Sequence, residues 1–110
     1  MIQVTITLNQ DKEYHSLSCI GHAGYAKKQK DIVCAAVSVL VINTLNVLEE
    51  LAGEKMIFNQ QDSGYLVATF TGKLQEKSIF LLDAMVYGLK QIRDTYGAKH
   101  LQIRYEEVPR

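Results

Sequence analysis

Asp31-Ile32-Val33-Cys34-Ala35-Ala36-Val37-Ser38-Val39-Leu40-Val41-Ile42-Asn43-Thr44-Leu45-Asn46-Val47-Leu48-Glu49-Glu50-Leu51-Ala52-Gly53 is the stretch whose reading decides the fold. The apolar run is too long for a strand. Asp31 stands where a helix N-cap belongs, and Gly53 supplies a C-terminal stop. The segment from Ile32 to about Ala52 therefore reads as one helix, roughly 30 Å long. Val33, Val37, Leu40, Thr44, Val47, Leu48 and Leu51 form one apolar face. Ile32, Ala35, Ala36, Val39, Val41 and Ile42 cover most of the remainder. A helix apolar nearly all round is buried on more than one side. In a chain of 110 residues the second side is expected to meet another helix or a partner subunit.

Strand patterns flank this helix. Ile2 to Leu8 alternates apolar and polar residues, as a half-buried strand does. A polar turn, Asn9 to Glu13, leads to a second strand, Tyr14 to Ile20, with His15, Leu17 and Cys19 on one face. After the helix come Lys55 to Gln61, a turn at Asp62-Ser63-Gly64, and Tyr65 to Thr71, rich in β-formers. Leu74 to Tyr96 is a second, amphipathic helix. Its inner stripe is Ile79, Leu82, Val86, Leu89 and Tyr96, and Asp83, Lys90, Gln91 and Asp94 face out. His100 to Tyr105 is a last strand. The order is ββαββαβ, which predicts an α+β two-layer sandwich: a mostly antiparallel sheet covered on one face by two helices.

Composition narrows the function classes. At 110 residues and 47% apolar content, residues 1–110 read as one folded domain. Twelve basic residues balance twelve acidic ones, so direct nucleic-acid binding is not expected. The longest apolar stretch, Ile32 to Ile42, is too short to span a bilayer, and no membrane association is expected. The alternating start, Met1 to Ile6, has no signal-peptide pattern, which points to the cytoplasm and to reduced thiols at Cys19 and Cys34.

The chemistry concentrates just before and just inside the first helix. Cys34 is the third helical residue if Asp31 is the cap. The amides of a first turn lack helical partners and the macrodipole is positive there, so a thiolate is favoured. Lys27, Lys28 and Lys30 add positive charge nearby. The same amides are candidates to stabilise the oxyanion of a tetrahedral intermediate. His22, between the second strand and a Gly- and Lys-rich loop, is the candidate base for Cys34. Asp31, beyond its cap role, and Ser38, one turn after Cys34, are candidate supporting residues. Each has a plainer reading: Cys34 as a small core residue, His22 as a loop histidine bonded to backbone, Ser38 as packing, the lysines as a solvated loop. Cys19, His15, His22 and Cys34 are soft or borderline ligands for which a zinc site is conceivable. They lack paired Cys-x-x-Cys knuckles, and no metal is expected. Cys19 reads as a core residue, and His15 and His100 as ordinary strand residues.

Gly21-His22-Ala23, with Asp31-Ile32-Val33-Cys34-Ala35-Ala36-Val37-Ser38, resembles the two signature segments of the bacterial ribosomal-processing cysteine proteases called Prp, at that family's spacing. The resemblance extends over essentially the whole chain. It implies Cys34 as nucleophile, His22 as base, a homodimer, and a mobile loop closing over substrate, here Gly24, Tyr25, Lys27, Lys28 and Lys30. It further implies endoproteolytic removal of a short N-terminal extension from a large-subunit ribosomal protein, number twenty-seven; the expected chemistry requires no cofactor. A second reading, from another class, is a non-catalytic ribosome-associated binding or assembly domain whose Cys34 is structural.

Overall fold

Alternation in the strand sequences builds a sheet with one wet and one dry face. The computed structural model describes residues 1–21, 24, 26, 31–61 and 64–108. The elements are β1 (Ile2–Leu8), β2 (Tyr14–Ile20), α1 (Ile32–Asn46, continuing as a π-helical turn over Val47–Leu51), β3 (Met56–Gln61), β4 (Tyr65–Phe70), α2 (Glu76–Tyr96) and β5 (Leu101–Glu107). The order is the expected ββαββαβ. The sheet runs β3-β4-β2-β1-β5. Only the β1–β5 pair is parallel among neighbours; the other three pairs are antiparallel.

On the dry face, Ile2, Val4 and Ile6 of β1 meet Leu17 of β2, Leu66, Ala68 and Phe70 of β4, and Leu101 of β5. Both helices contribute to this one core, α1 through Val33, Val37, Val41, Leu45 and Leu48, and α2 through Leu82, Met85, Val86 and Leu89. Gly88 lets the helices approach closely: a Cβ there would lie 2.8 Å from Leu40 Cδ2.

Three details depart from the sequence expectation. The buried row of α1 runs through Val41 and Leu45 rather than Leu40, and Leu51 is 78% exposed. In the π turn the Ala52 N–H donates to Val47 O at 3.0 Å. The extra residue per turn rotates Leu51 off the apolar face. A β-bulge skips one residue between Thr7–Ser16 and Leu8–Tyr14, breaking the alternation that had grouped His15 with Leu17 and Cys19. The Tyr14 hydroxyl then reaches α2, donating to Asp83 Oδ1 at 2.5 Å. Finally, β5 begins at Leu101, and His100 ends the turn before it, its carbonyl accepting from Ile2 N–H.

With its π turn, Ile32–Leu51 is long and apolar enough to cross a bilayer by length and composition, contrary to the shorter reading of the sequence. Its sheet-facing side is nevertheless part of the core, with Val33, Val37, Val41, Leu45 and Leu48 almost fully buried.

Candidate active site

β2 ends and α1 begins at the same edge of the core, because the register puts Ile20 beside Tyr65 and Gln3. Gly21 leaves the sheet there with φ +102, and a Cβ at this position would lie 2.4 Å from the Met1 carbonyl oxygen. Only glycine fits such a combination of positive φ and backbone contact. Its N–H donates to Gly64 O at 2.8 Å, tying the end of β2 to the β3–β4 turn.

Asp31 caps α1 as expected. Its Oδ1 accepts from Val33 N–H and Cys34 N–H, each at 3.0 Å, and the residue is 5% exposed. The ordinary helical ladder starts with Ala35 N–H to Asp31 O. This corrects one part of the sequence argument. Two of the first-turn amides proposed to meet an oxyanion, those of Val33 and Cys34, are already engaged by the cap carboxylate.

Cys34 is half-buried and lines a cavity of about 340 Å³. The floor is apolar, with Ile2, Val37, Val41 and Leu66 among its residues, and the wall carries Ser38, Gln60, Gln61, Gly64 and Tyr65. Ser38 lies on this wall, one turn after Cys34, where the sequence placed it. Cys19, opposite Val4 and Leu66 in the register, opens onto the same cavity. Burial, and secondarily the charge of nearby Cys34, push the Cys19 thiol up to about 11. Cys19 therefore stays protonated at neutral pH.

His22, Tyr25, Lys27, Lys28 and Lys30 lie outside the described residues. Gly24 is described: it is exposed, with φ +67. His15 lines a different cavity, of about 370 Å³ at the opposite end of the sheet, with Glu13, Phe70 and Lys73. Among the described residues no group of three His, Cys, Asp or Glu side chains is placed to hold a metal ion. The sequence reading missed Gln60, Gln61 and Tyr65. Their signal was present in the Gly64 turn, which folds β3 and β4 together, but placing that turn beside Gly21 requires the β2–β4 register.

The arrangement is a thiol at a helix start, beside a cavity with an apolar floor and carboxamide and hydroxyl groups on its wall. That suits an extended peptide with apolar side chains attacked at one carbonyl. Comparison with known proteins gives the family. The family model for cysteine protease Prp matches residues 1–101. The ribosomal processing cysteine protease Prp of Bacillus subtilis is 34% identical over 101 residues, covering 87% of this chain and 90% of that protein. A crystal structure of an essential ribosomal processing protease Prp from Staphylococcus aureus, in complex with a covalently linked product peptide, superposes with a TM-score of 0.89 at 25% identity, covering 96% of this chain and all of that one. The crystal structure of SMU.848 from Streptococcus mutans superposes with a TM-score of 0.78 at 28% identity, covering 98% and 96% of the two chains. The reading of a non-catalytic binding domain gives way to these matches: the chain belongs to the Prp family of cysteine proteases.

Proposed function

We propose that this cysteine protease removes a short N-terminal extension from large-subunit ribosomal protein twenty-seven in the cytoplasm, with Cys34 as nucleophile and His22 as base. The observation that carries the reading is the position of Cys34: the first turn of α1, with its side chain on the wall of the cavity. The names of the Bacillus subtilis and Staphylococcus aureus relatives support ribosomal processing as the task.

His22 takes the Cys34 proton, and Sγ attacks the scissile carbonyl to form a tetrahedral oxyanion. The oxyanion collapses as the imidazolium protonates the leaving amine, and an acyl-enzyme remains. His22 then takes a proton from water, the hydroxide attacks the thioester, and the released Cys34 thiolate closes the cycle. With Val33 and Cys34 amides held by Asp31, oxyanion donors have to come from other groups at the site. Asp31 acts in this scheme through the cap, Ser38 as a cavity-wall hydroxyl beside the scissile bond, and segment 24–30 as the substrate gate that the family resemblance implies.

The protein works as a homodimer in this reading. Ile32 and Val39 on the outer side of α1 are 50% and 69% exposed, an apolar strip that a second copy would cover. A mass measurement in solution giving a monomer at micromolar concentration would count against it.

Incubation with the ribosomal protein, followed by mass spectrometry of its N-terminus, tests the activity. Loss of one discrete N-terminal peptide is expected with the wild type. Cys34→Ala and His22→Ala are expected to leave the substrate intact while keeping native circular dichroism. Cleavage by Cys34→Ala would overturn the mechanism.

A further inference from the structure

Two thiols share one cavity, and the proteolytic cycle uses only one of them. Cys34 enters from the start of α1 and Cys19 from the penultimate residue of β2. Both are partly buried and packed against the same core. The neighbours of Cys19 across the sheet, Val4 on β1 and Leu66 on β4, are apolar, and the other titratable residues described on the cavity lining are Cys34 and Tyr65. The β1–β2 and β2–β4 registers and the first turn of α1 bring the two thiols to the lining of this one cavity.

We infer that Cys19 is a resolving cysteine, which converts peroxide-oxidised Cys34 into a reversible Cys19–Cys34 disulfide and so protects the nucleophile from irreversible oxidation. The inference rests on Cys34 being the reactive thiol of the preceding reading. The oxidant is a hydroperoxide. The Cys34 thiolate attacks one peroxide oxygen, the O–O bond breaks, and the other oxygen leaves as hydroxide or alkoxide and takes up a proton. Cys34 becomes a sulfenic acid, oxidised by two electrons. The Cys19 sulfur then attacks the Cys34 sulfur. The S–O bond breaks, the S–S bond forms, and hydroxide leaves with the Cys19 proton as water. A dithiol reductant restores both thiols.

Burial suits Cys19 to this task. A protonated, half-buried thiol does not compete for peptide substrate or react with peroxide itself, because the thiolate is the reactive form. Its attack on the sulfenic acid beside it passes through the thiolate, the Cys19 proton being handed to the hydroxide that leaves Cys34. The disulfide would also block the cavity, so protease activity would fall under oxidative conditions and return on reduction.

The test treats purified wild type and Cys19→Ala with hydrogen peroxide, then divides each sample with and without dithiothreitol. Intact mass, peptide mapping and peptide cleavage are measured against each protein's own untreated sample. The expected wild-type product is lighter by two hydrogens, yields a Cys19–Cys34 linked peptide, and regains its cleavage with dithiothreitol. The Cys19→Ala variant is expected to gain two oxygens at Cys34 and to stay inactive after dithiothreitol. Cys19→Ser, closest in size, should behave as Cys19→Ala does. Sulfinate at Cys34 in the wild type with no linked peptide would overturn the proposal, as would equal recovery in wild type and variants. Failure of the catalytic reading is separately visible, because Cys34→Ala would then still cleave substrate whatever the peroxide maps show.

Discussion

The starts of the two helices are built alike and used differently. Each is met by a buried carboxylate. At α1 it is Asp31, the residue immediately before the helix, holding two amides. At α2 the cap residue Gln75 makes no side-chain cap bond to its own helix. Glu54, 21 positions earlier, accepts the Gln75 N–H at 3.0 Å, and the Gln75 carboxamide donates back to Ala52 O at 2.8 Å. The third helical residue is a nucleophile type in both: Cys34 in α1 and Ser78 in α2. Yet Cys34 opens onto a cavity of about 340 Å³, whereas Ser78 is fully buried and its hydroxyl acts on the Glu54 carboxylate. A positive helix end and a nucleophilic atom do not make a site. The cavity does, and the cavity at α1 exists because β2 stops at Gly21 and the β3–β4 turn folds against it.

That difference is most open to attack at Gly21. Gly21→Ala places a side chain at φ +102 and drives a Cβ to 2.4 Å from a backbone carbonyl that cannot swing away. The expected loss is about 2 kcal/mol or more of stability, read from urea unfolding, with a fall in cleavage because the mouth of the cavity shifts. Unchanged stability would mean that the cavity end does not depend on this turn.

Glu54 tests the other helix start. Burial raises its carboxyl, but the Ser78 hydroxyl dipole, the hydrogen bonds with Gln75 and the charge of Lys77 outweigh that, and the net shift is downward. A carboxyl with a lowered folded pKa contributes stability that is present above its ordinary value of 4.5 and disappears as pH falls through the folded value. Glu54→Gln should therefore flatten the loss of stability below about pH 4.5, while Glu54→Ala should cost about 1–2 kcal/mol at neutral pH. Cleavage per folded molecule should be unchanged by both, since Glu54 serves α2 and not the cavity. An undiminished acid limb in Glu54→Gln would show that another group carries it.

These two carboxylates also mark what a reader of the sequence could and could not see. Asp31 was legible because capping is local: an acidic residue directly before an apolar run satisfies amides two and three positions on. Glu54 follows Gly53 and looks like a loop charge. Nothing within a helical turn of it announces a bond to Gln75. The same divide separates the strands, whose alternation gave the order and the dry face, from the bulge that sends Tyr14 to Asp83, 69 positions away. It applies within the site as well. Cys34 and Ser38 share a helix turn and were paired by spacing. Cys19, Gln60 and Tyr65 reach the cavity only through the β1–β2 and β2–β4 registers, which no single stretch of residues encodes.

Asp31→Asn separates the two duties that sequence allowed this residue. Asparagine caps about as well as aspartate, because its Oδ1 can accept the same two amides, so stability should hold within a few tenths of a kcal/mol. Asp31→Ala should lose about 1 kcal/mol. If the residue acts only through the cap, Asp31→Asn cleaves substrate nearly as well as the wild type. Loss of cleavage in a stable Asp31→Asn protein would instead assign the negative charge a direct part in the proposed chemistry of Cys34 and His22.

The smallest effect is expected at Ser78, and it decides how far the likeness of the helix starts extends. Burying a hydroxyl costs of order 1 kcal/mol of desolvation, and Ser78→Ala removes that cost while leaving a gap the size of one oxygen. Against that stands the hydroxyl's dipole on the Glu54 carboxylate, which the variant also removes. The two terms oppose, so stability at neutral pH should change by less than about 1 kcal/mol and cleavage should not change at all. The informative readout is the acid limb. With the dipole gone, the Glu54 carboxyl should rise toward its ordinary range, and the loss of stability below about pH 4.5 should be smaller than in the wild type and complete at a higher pH. A Ser78→Ala protein with the wild-type acid limb would mean that Gln75 and Lys77 hold Glu54 without it, and that Ser78 shares with Cys34 nothing beyond its place in the first turn.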